Sequence, residues 1–175
     1  MLETTHVLTA LAIAKNISNP FLAFGAGLVS HFVLDAIPHY DFQGKILKQE
    51  YYNEEKGGDF GKKEFSRTGK IVIFSDLTVS LVIFLYLSLS GRIWPNFPDL
   101  ISFAFFLFDN LHLAAGVLGG VLPDLANLVC IKTGFCQPKW FFKFHKKIQI
   151  VKIGIVPGLI FQIALAIFSL YYFMR

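Results

Sequence analysis

The sequence predicts an all-α membrane protein, a single domain over residues 1–175 that folds as a bundle of about four or five helices. Hydrophobic residues make up 54% of the chain, against about 45–50% in an ordinary soluble domain, and 20 of them are phenylalanines. A soluble fold of this length has too little interior to bury so much apolar surface, whereas lipid tails solvate it. Long apolar runs also alternate with two strongly basic windows, residues 40–70 and 131–152.

Apolar segments follow one another along the chain. The first, residues 5–15, is shorter than the about 20 residues that a bilayer requires, which predicts a short or re-entrant helix. Segments of spanning length predict transmembrane helices over residues 21–37, 71–89 and 153–173. The segment 100–129 is longer than a bilayer requires, and Pro123 inside it predicts a kink or a break.

The distribution of positive charge predicts an orientation. Thirteen of the 16 lysines and arginines lie in the two basic windows, and loops of this kind face the cytoplasm in membrane proteins. Both windows are therefore expected to be cytoplasmic loops, with the connection at 92–99 outside, in a multi-pass protein of a bacterial or archaeal cytoplasmic membrane. The N-terminus lacks a basic segment followed by a small-residue cleavage site, so no cleavable signal peptide is expected.

A weak internal repeat relates the segments 27–35 and 116–124. Each begins with a glycine, continues through small and apolar residues, and ends at an aspartate close to a proline. Small residues let two helix backbones approach closely in a membrane, so Gly27 and Gly116 are expected to lie at a tight helix–helix contact.

Ionisable side chains within the apolar segments are the strongest indication of a site. Asp35, Asp76, Asp109 and Asp124 lie in or at the ends of these segments, where an ionised acid costs about 2.5–3.5 kcal/mol on insertion scales. Such groups face the interior of a bundle and have partners there. The histidines of the same segments are the available partners.

The densest cluster of these side chains lies between residues 31 and 41. His31 and Asp35 are four residues apart and therefore share a helix face. Pro38 disfavours helical geometry at the residue before it, which places His39 and Asp41 at or just past the helix end. Imidazole and carboxylate together form a ligand set that suits zinc, manganese or iron.

The predicted topology brings further groups to the same leaflet. His6, Asp76 and Asp124 each come from a different segment and reach a similar depth. The predicted metal ligands are His6, His31, Asp35, His39 and Asp124, and the predicted catalytic carboxylates are Asp76 and Asp41. A structural hydrogen-bonded network and an ion or proton pathway remain alternatives for these residues.

Other candidate ligands are interpreted as structural or solvated. Asp109 and His112, three residues apart, are expected to satisfy each other. His145 lies among lysines and is expected to be solvated in a loop. Cys130 and Cys136 lack the paired spacing of a zinc ribbon and are expected to be free thiols.

Three short motifs carry a resemblance to a known family. Thr5-His6, Ser30-His31-x-x-x-Asp35 and Val-Leu-Pro-Asp124 resemble motifs of small inner-membrane proteins known as membrane-bound metal-dependent hydrolases. That family has a Leu-Pro-Asp-x-Asp-His element, whereas Leu125, Ala126 and Asn127 follow Asp124 here. The spacing of His31, Asp35 and His39 is also loosely similar to the zinc-ligand helix of zinc-dependent phospholipases C.

The resemblance and the residues together imply a hydrolase that uses a divalent metal, zinc or manganese. Its substrate would be an ester or phosphoester, borne by a lipid at the cytoplasmic leaflet. Membrane lipid is the expected partner, with anionic lipid or phosphate attracted by the basic windows. Nucleic acid is not expected, because both windows lie between apolar runs. The alternative is a non-catalytic ion or proton carrier, or a scaffold, with a structural His/Asp network.

Overall fold

The computed structural model describes residues 1–40, 67–89, 99–133, 138–148 and 153–175. Across these ranges the chain forms helices and no β-strand, which confirms the predicted all-α class. The described ranges contain seven helices, more than the four or five predicted: α1 Glu3–Ala14, α2 Pro20–Ala36, α3 Arg67–Leu89, α4 Leu100–Asp109, α5 Leu111–Thr133, α6 Lys139–Ile148 and α7 Ile155–Met174.

The short helix α1 lies at the centre of the bundle and packs against α2, α5 and α7. Eight of its 12 residues are buried. Asp76 of α3 accepts hydrogen bonds from the backbone N–H groups of Glu3 and Thr4, which would otherwise lack partners at the start of the helix. The apolar segment 5–15 is therefore the buried centre of the fold.

Local sequence sets both ends of α2. The Asn19 side chain accepts hydrogen bonds from the N–H groups of Phe21 and Leu22, and Pro20 occupies the first helical turn, where its missing N–H costs nothing. At the other end Ile37 is extended, as expected before Pro38. His39 therefore follows the end of the helix, as the sequence predicted.

Close contact between glycines joins α2 to α5. A Cβ atom on Gly27 would collide with the carbonyl oxygen of Gly116, and one on Gly119 would collide with that of Phe24. Only hydrogen atoms fit between the two backbones at these points. The predicted contact between Gly27 and Gly116 is confirmed, and it brings the two halves of the repeat together.

Two sequence predictions about the later helices are corrected. The apolar segment 100–129 is interrupted at Asn110, whereas α5 continues through Pro123. The window 131–152, predicted as a loop, contains α6. In addition, Cys130 is disulfide-bonded rather than a free thiol, and the structure records no free cysteine among the residues it describes.

The outer surface of the bundle is rich in large apolar side chains. Phe21 is 87% exposed and Leu100 is 79% exposed, and α7 exposes a row of isoleucines and aromatic residues. Among the described helices, α5 (over Leu111–Cys130) and α7 are long and apolar enough to cross a membrane.

Candidate metal centre

The carboxylate of Asp35 is the centre of a buried cluster of histidines. The Nε2 atom of His145 lies 2.9 Å from one of its oxygens. The Nε2 atoms of His6 and His31 lie 3.3 Å away, and that of His39 lies 3.9 Å away. All five side chains are almost completely buried. The sequence placed four of these residues in one site, and the structure brings those four together.

Backbone carbonyls fix the orientation of two of the imidazole rings. His31 Nδ1 lies 2.7 Å from the Gly120 oxygen, and His39 Nδ1 lies 2.8 Å from the Ile37 oxygen. A carbonyl only accepts, so Nδ1 carries the proton in both rings. In a neutral ring Nε2 then presents a lone pair toward Asp35. Histidines that ligate metals are oriented in this way by an acceptor on their other nitrogen.

These lone pairs are difficult to satisfy by hydrogen bonds to Asp35 alone. The carboxylate accepts but does not donate, so His31 would have to be an imidazolium cation to bond with it, beside the N-terminal ammonium group, which lies 3.4 Å from Asp35. His31 Nε2 and His145 Nε2 both face the same oxygen of Asp35, and the two nitrogens lie 3.2 Å apart. Several cations around one buried carboxylate would leave a net charge in the protein interior, which is costly. A divalent cation that accepts the lone pairs removes this conflict.

His6 has both ring nitrogens buried without a hydrogen bond. Its ring stacks on that of His31 with the centroids 4.1 Å apart, and Nε2 faces Asp35 at a poor angle for hydrogen bonding. A buried polar atom without a partner costs about 1–3 kcal/mol. The structure thus contains an unsatisfied imidazole aimed at the centre of the cluster.

Asp124 completes a compact set of potential ligands. One ligand atom each from His31, Asp35, Asp124 and His145 lies within 4.8 Å of the others. The Asp124 side chain is 27% exposed, while the other three are buried. The cluster is therefore open to its surroundings on the Asp124 side. Two imidazoles and two carboxylates form a donor set that zinc binds well, and manganese accepts the same atoms.

The prediction that His145 is solvated in a loop is wrong. It lies on α6, it is buried, and its Nε2 contacts both Asp35 and, at 3.6 Å, Asp124. Sequence reasoning assigned it to solvent because of the neighbouring lysines. The spacing of Phe141 and His145, four residues apart on a strongly amphipathic segment, is the signal that places both on an inward face.

Glu3 is a second residue that sequence reasoning missed. Its carboxyl group lies beside that of Asp124 at the open side of the cluster, where burial and the nearby carboxylates of Asp124 and Asp76 raise its pKa to about 9. No sequence motif marks this residue, which stands at the start of α1. Its position depends on Asp76, whose carboxylate holds the first turn of α1.

The remaining predicted residues lie apart from the cluster or outside the described residues. Asp76 is engaged with the N-terminus of α1 through Glu3 and Thr4, which makes it a positioning residue for α1. Asp41 lies outside the described residues. His112 bonds the backbone oxygen of Asp109 at 2.9 Å, so the expected pair forms through the main chain rather than the carboxylate.

Comparisons of the chain with models of known families, with curated proteins and with solved structures found no match. The function must therefore be inferred from the chemistry of the site.

Proposed function

We propose that this protein is an integral membrane hydrolase that uses one divalent metal ion, zinc or manganese, to cleave an ester or phosphoester borne by a lipid. The observation that carries the proposal is the convergence of four histidine Nε2 atoms on the buried carboxylate of Asp35. The similarity of the His6, His31–Asp35 and Asp124 motifs to membrane-bound metal-dependent hydrolases supports the same chemistry.

Lipid is the proposed environment because of the apolar exterior. Soluble monomers rarely expose a continuous apolar patch above about 300–600 Å². Here large apolar side chains cover the outward faces of several helices, including the two of spanning length. Hydrocarbon solvates such a surface, whereas water would drive the chains to aggregate.

A cavity in the bundle supports the proposal that the substrate carries an acyl chain. It has a volume of about 370 Å³ and lies between α1, α3 and α7. Leu8, Val79 and Ile163 are among its mainly apolar lining residues, and its polar lining residues include Asp76 and, within one turn of His6 on α1, Thr4. Asp76, which also lines the cavity, bonds the backbone N–H of Glu3, so a chain bound there would bring its head group toward Glu3 and Asp124.

In this proposal His31, Asp35, Asp124 and His145 hold the metal. A divalent ion held there would lower the pKa of a bound water and polarise the oxygen of an ester or phosphoester. A divalent cation at Asp124 would lower the pKa of the neighbouring Glu3, which burial raises, and the Glu3 carboxylate would then accept a proton from the attacking water. The water oxygen adds to the ester carbon or phosphorus, and the departing alkoxide leaves as an alcohol with that proton.

Hydrolysis in mixed micelles tests the proposal. Protein purified without chelator and supplied with zinc or manganese is expected to cleave chromogenic carboxylester or phosphoester lipids. Glu3→Gln should keep the metal and lose at least about 100-fold in kcat, a typical loss for a general base. His112→Ala, outside the cluster, is the matched control and should behave as the unmodified protein does. Equal turnover by all three proteins would assign any hydrolysis to a contaminant and reject the proposal.

Orientation in the membrane is a separate prediction. The basic windows favour the cytoplasm, so an impermeant thiol reagent should label Asn96→Cys and spare Gly57→Cys in intact cells. Cys130 directly precedes the second basic window, and its disulfide favours the side of the membrane away from the cytoplasm, because disulfides persist mainly in oxidising compartments. The protein without an introduced cysteine gives the background. Labelling at position 57 alone would overturn the cytoplasmic assignment and place the site on the outer side.

A further inference from the structure

Helix α6 has three faces with different chemistry. Phe141, Phe142 and His145 turn toward the bundle. Lys139, Lys143 and Lys147 are exposed and follow one another at four-residue spacing, which places them on one stripe. Beside that stripe Trp140 is 68% exposed and Phe144 is 46% exposed. An exposed basic stripe next to an exposed aromatic stripe is typical of helices that lie in the membrane interface.

The inner face of α6 is joined to the candidate metal centre. His145 Nε2 is 2.9 Å from Asp35, and the centroid of the Phe141 ring lies 6.2 Å from that of Phe32 on α2. Phe142 is buried against Cys130 of α5. Any force that presses α6 onto the bundle therefore also holds His145 in the site.

A helix of this length is weak by itself. It has 10 residues, and isolated helices shorter than about 12–15 residues are marginal in water. Its exposed lysines also repel one another, since the window 131–152 contains six lysines and no acidic residue. An anionic surface would relieve this repulsion, and the aromatic stripe would enter the boundary between head groups and acyl chains.

We propose that the outer face of α6 docks on the anionic phospholipid surface of the membrane, and that this docking holds His145 in the metal centre. This inference rests on the proposed function for the role of His145, whereas the docking itself depends only on α6. The site is then complete only where anionic lipid is present, which couples its metal affinity to the composition of the bilayer.

The test uses the full chain in nanodiscs of phosphatidylcholine, alone or mixed with phosphatidylglycerol. The chain has two tryptophans, so Trp94→Phe leaves Trp140 as the only one. With phosphatidylglycerol present, Trp140 emission should shift to the blue and be quenched by brominated acyl chains. Zinc affinity, measured by competition with a chelator, should rise at least about fivefold, the low end of ordinary coupling.

A variant without the basic stripe tests whether the lysines cause these two responses. Lys139→Ser, Lys143→Ser and Lys147→Ser together should abolish both responses to phosphatidylglycerol. The matched control removes three exposed cations elsewhere, with Arg67→Ser, Lys70→Ser and Arg175→Ser, and should keep both responses.

The other outcomes separate the two proposals. If Trp140 emission and zinc affinity are the same in both bilayers, the docking of α6 is wrong and the metal site stands. If zinc fails to bind in either bilayer while Trp140 responds, the proposed function is wrong and the docking stands. If inorganic phosphate with phosphatidylcholine alone reproduces the emission shift, the lysines bind free phosphate, and docking on a lipid surface is overturned.

Discussion

Replacement of Asp35 by alanine is expected to abolish metal binding. Its carboxylate lies within 4 Å of four imidazoles, so its loss removes both a ligand and the charge that balances the cation. Loss of an outer-shell partner already lowers metal affinity by about 10–100-fold, and loss of a ligand should exceed this. Elemental analysis should find about one zinc or manganese per chain in the unmodified protein and almost none in the variant.

His145→Ala extends this test to the ligand that sequence reasoning placed in solvent. We expect it to lose metal as Asp35→Ala does, because its Nε2 lies beside both Asp35 and Asp124. His112→Ala should retain the metal, since His112 is outside the cluster and its ring bonds the backbone oxygen of Asp109. Low pH should release the metal from the unmodified protein, because ligands must be deprotonated to bind it.

If the cluster is instead a structural hydrogen-bonded network without metal, the expected result for Asp35→Asn is different. An amide oxygen can still accept a hydrogen bond from His145, so a metal-free network would tolerate this change. If the unmodified protein at neutral pH holds no metal after resupply, and Asp35→Asn keeps its thermal stability, the hydrolase proposal is wrong. The cluster would then be a structural link between α1, α2 and α6.

Replacement of Gly27 by leucine is expected to disrupt the bundle. A Cβ atom at this position meets the carbonyl oxygen of Gly116, a backbone atom that cannot move by rotation of a side chain. Overpacking typically costs about 1–3 kcal/mol, and a clash with backbone should reach or exceed the upper end. Thermal unfolding in detergent should show a lower melting temperature and less folded protein.

Gly25→Leu is the matched control, two residues away on the same helix. No heavy atom lies within 4 Å of a Cβ built there, and leucine favours a helix over glycine by somewhat less than about 1 kcal/mol. The control should therefore unfold at or above the temperature of the unmodified protein. If Gly27→Leu and Gly25→Leu unfold at the same temperature, close packing of α2 on α5 is not what stabilises the fold.

The sequence by itself determined the features that depend on neighbours along the chain. Periodicity places His31 and Asp35 on one face of α2, and the N-cap Asn19 and the helix-breaking Pro38 set the ends of that helix. The repeat of small residues identified the contact of Gly27 with Gly116. The first two signals lie within a few residues, where helical geometry fixes which side chains can meet, and the third marks two helix surfaces without side chains, on which two backbones can approach closely.

Only the tertiary structure decided which helices supply the rest of the site. His145 contacts Asp35 across 110 residues, and its inward position depends on how α6 packs against α2 and α5. Glu3 lies beside Asp124 because side chains of other helices, Asp76 and Gln162, bond the backbone at the start of α1. Sequence periodicity gives the face on which a side chain lies, whereas the packing of one helix on another determines what that face contacts. The convergence of the cluster is a property of packing between helices, which the pattern along one helix does not encode.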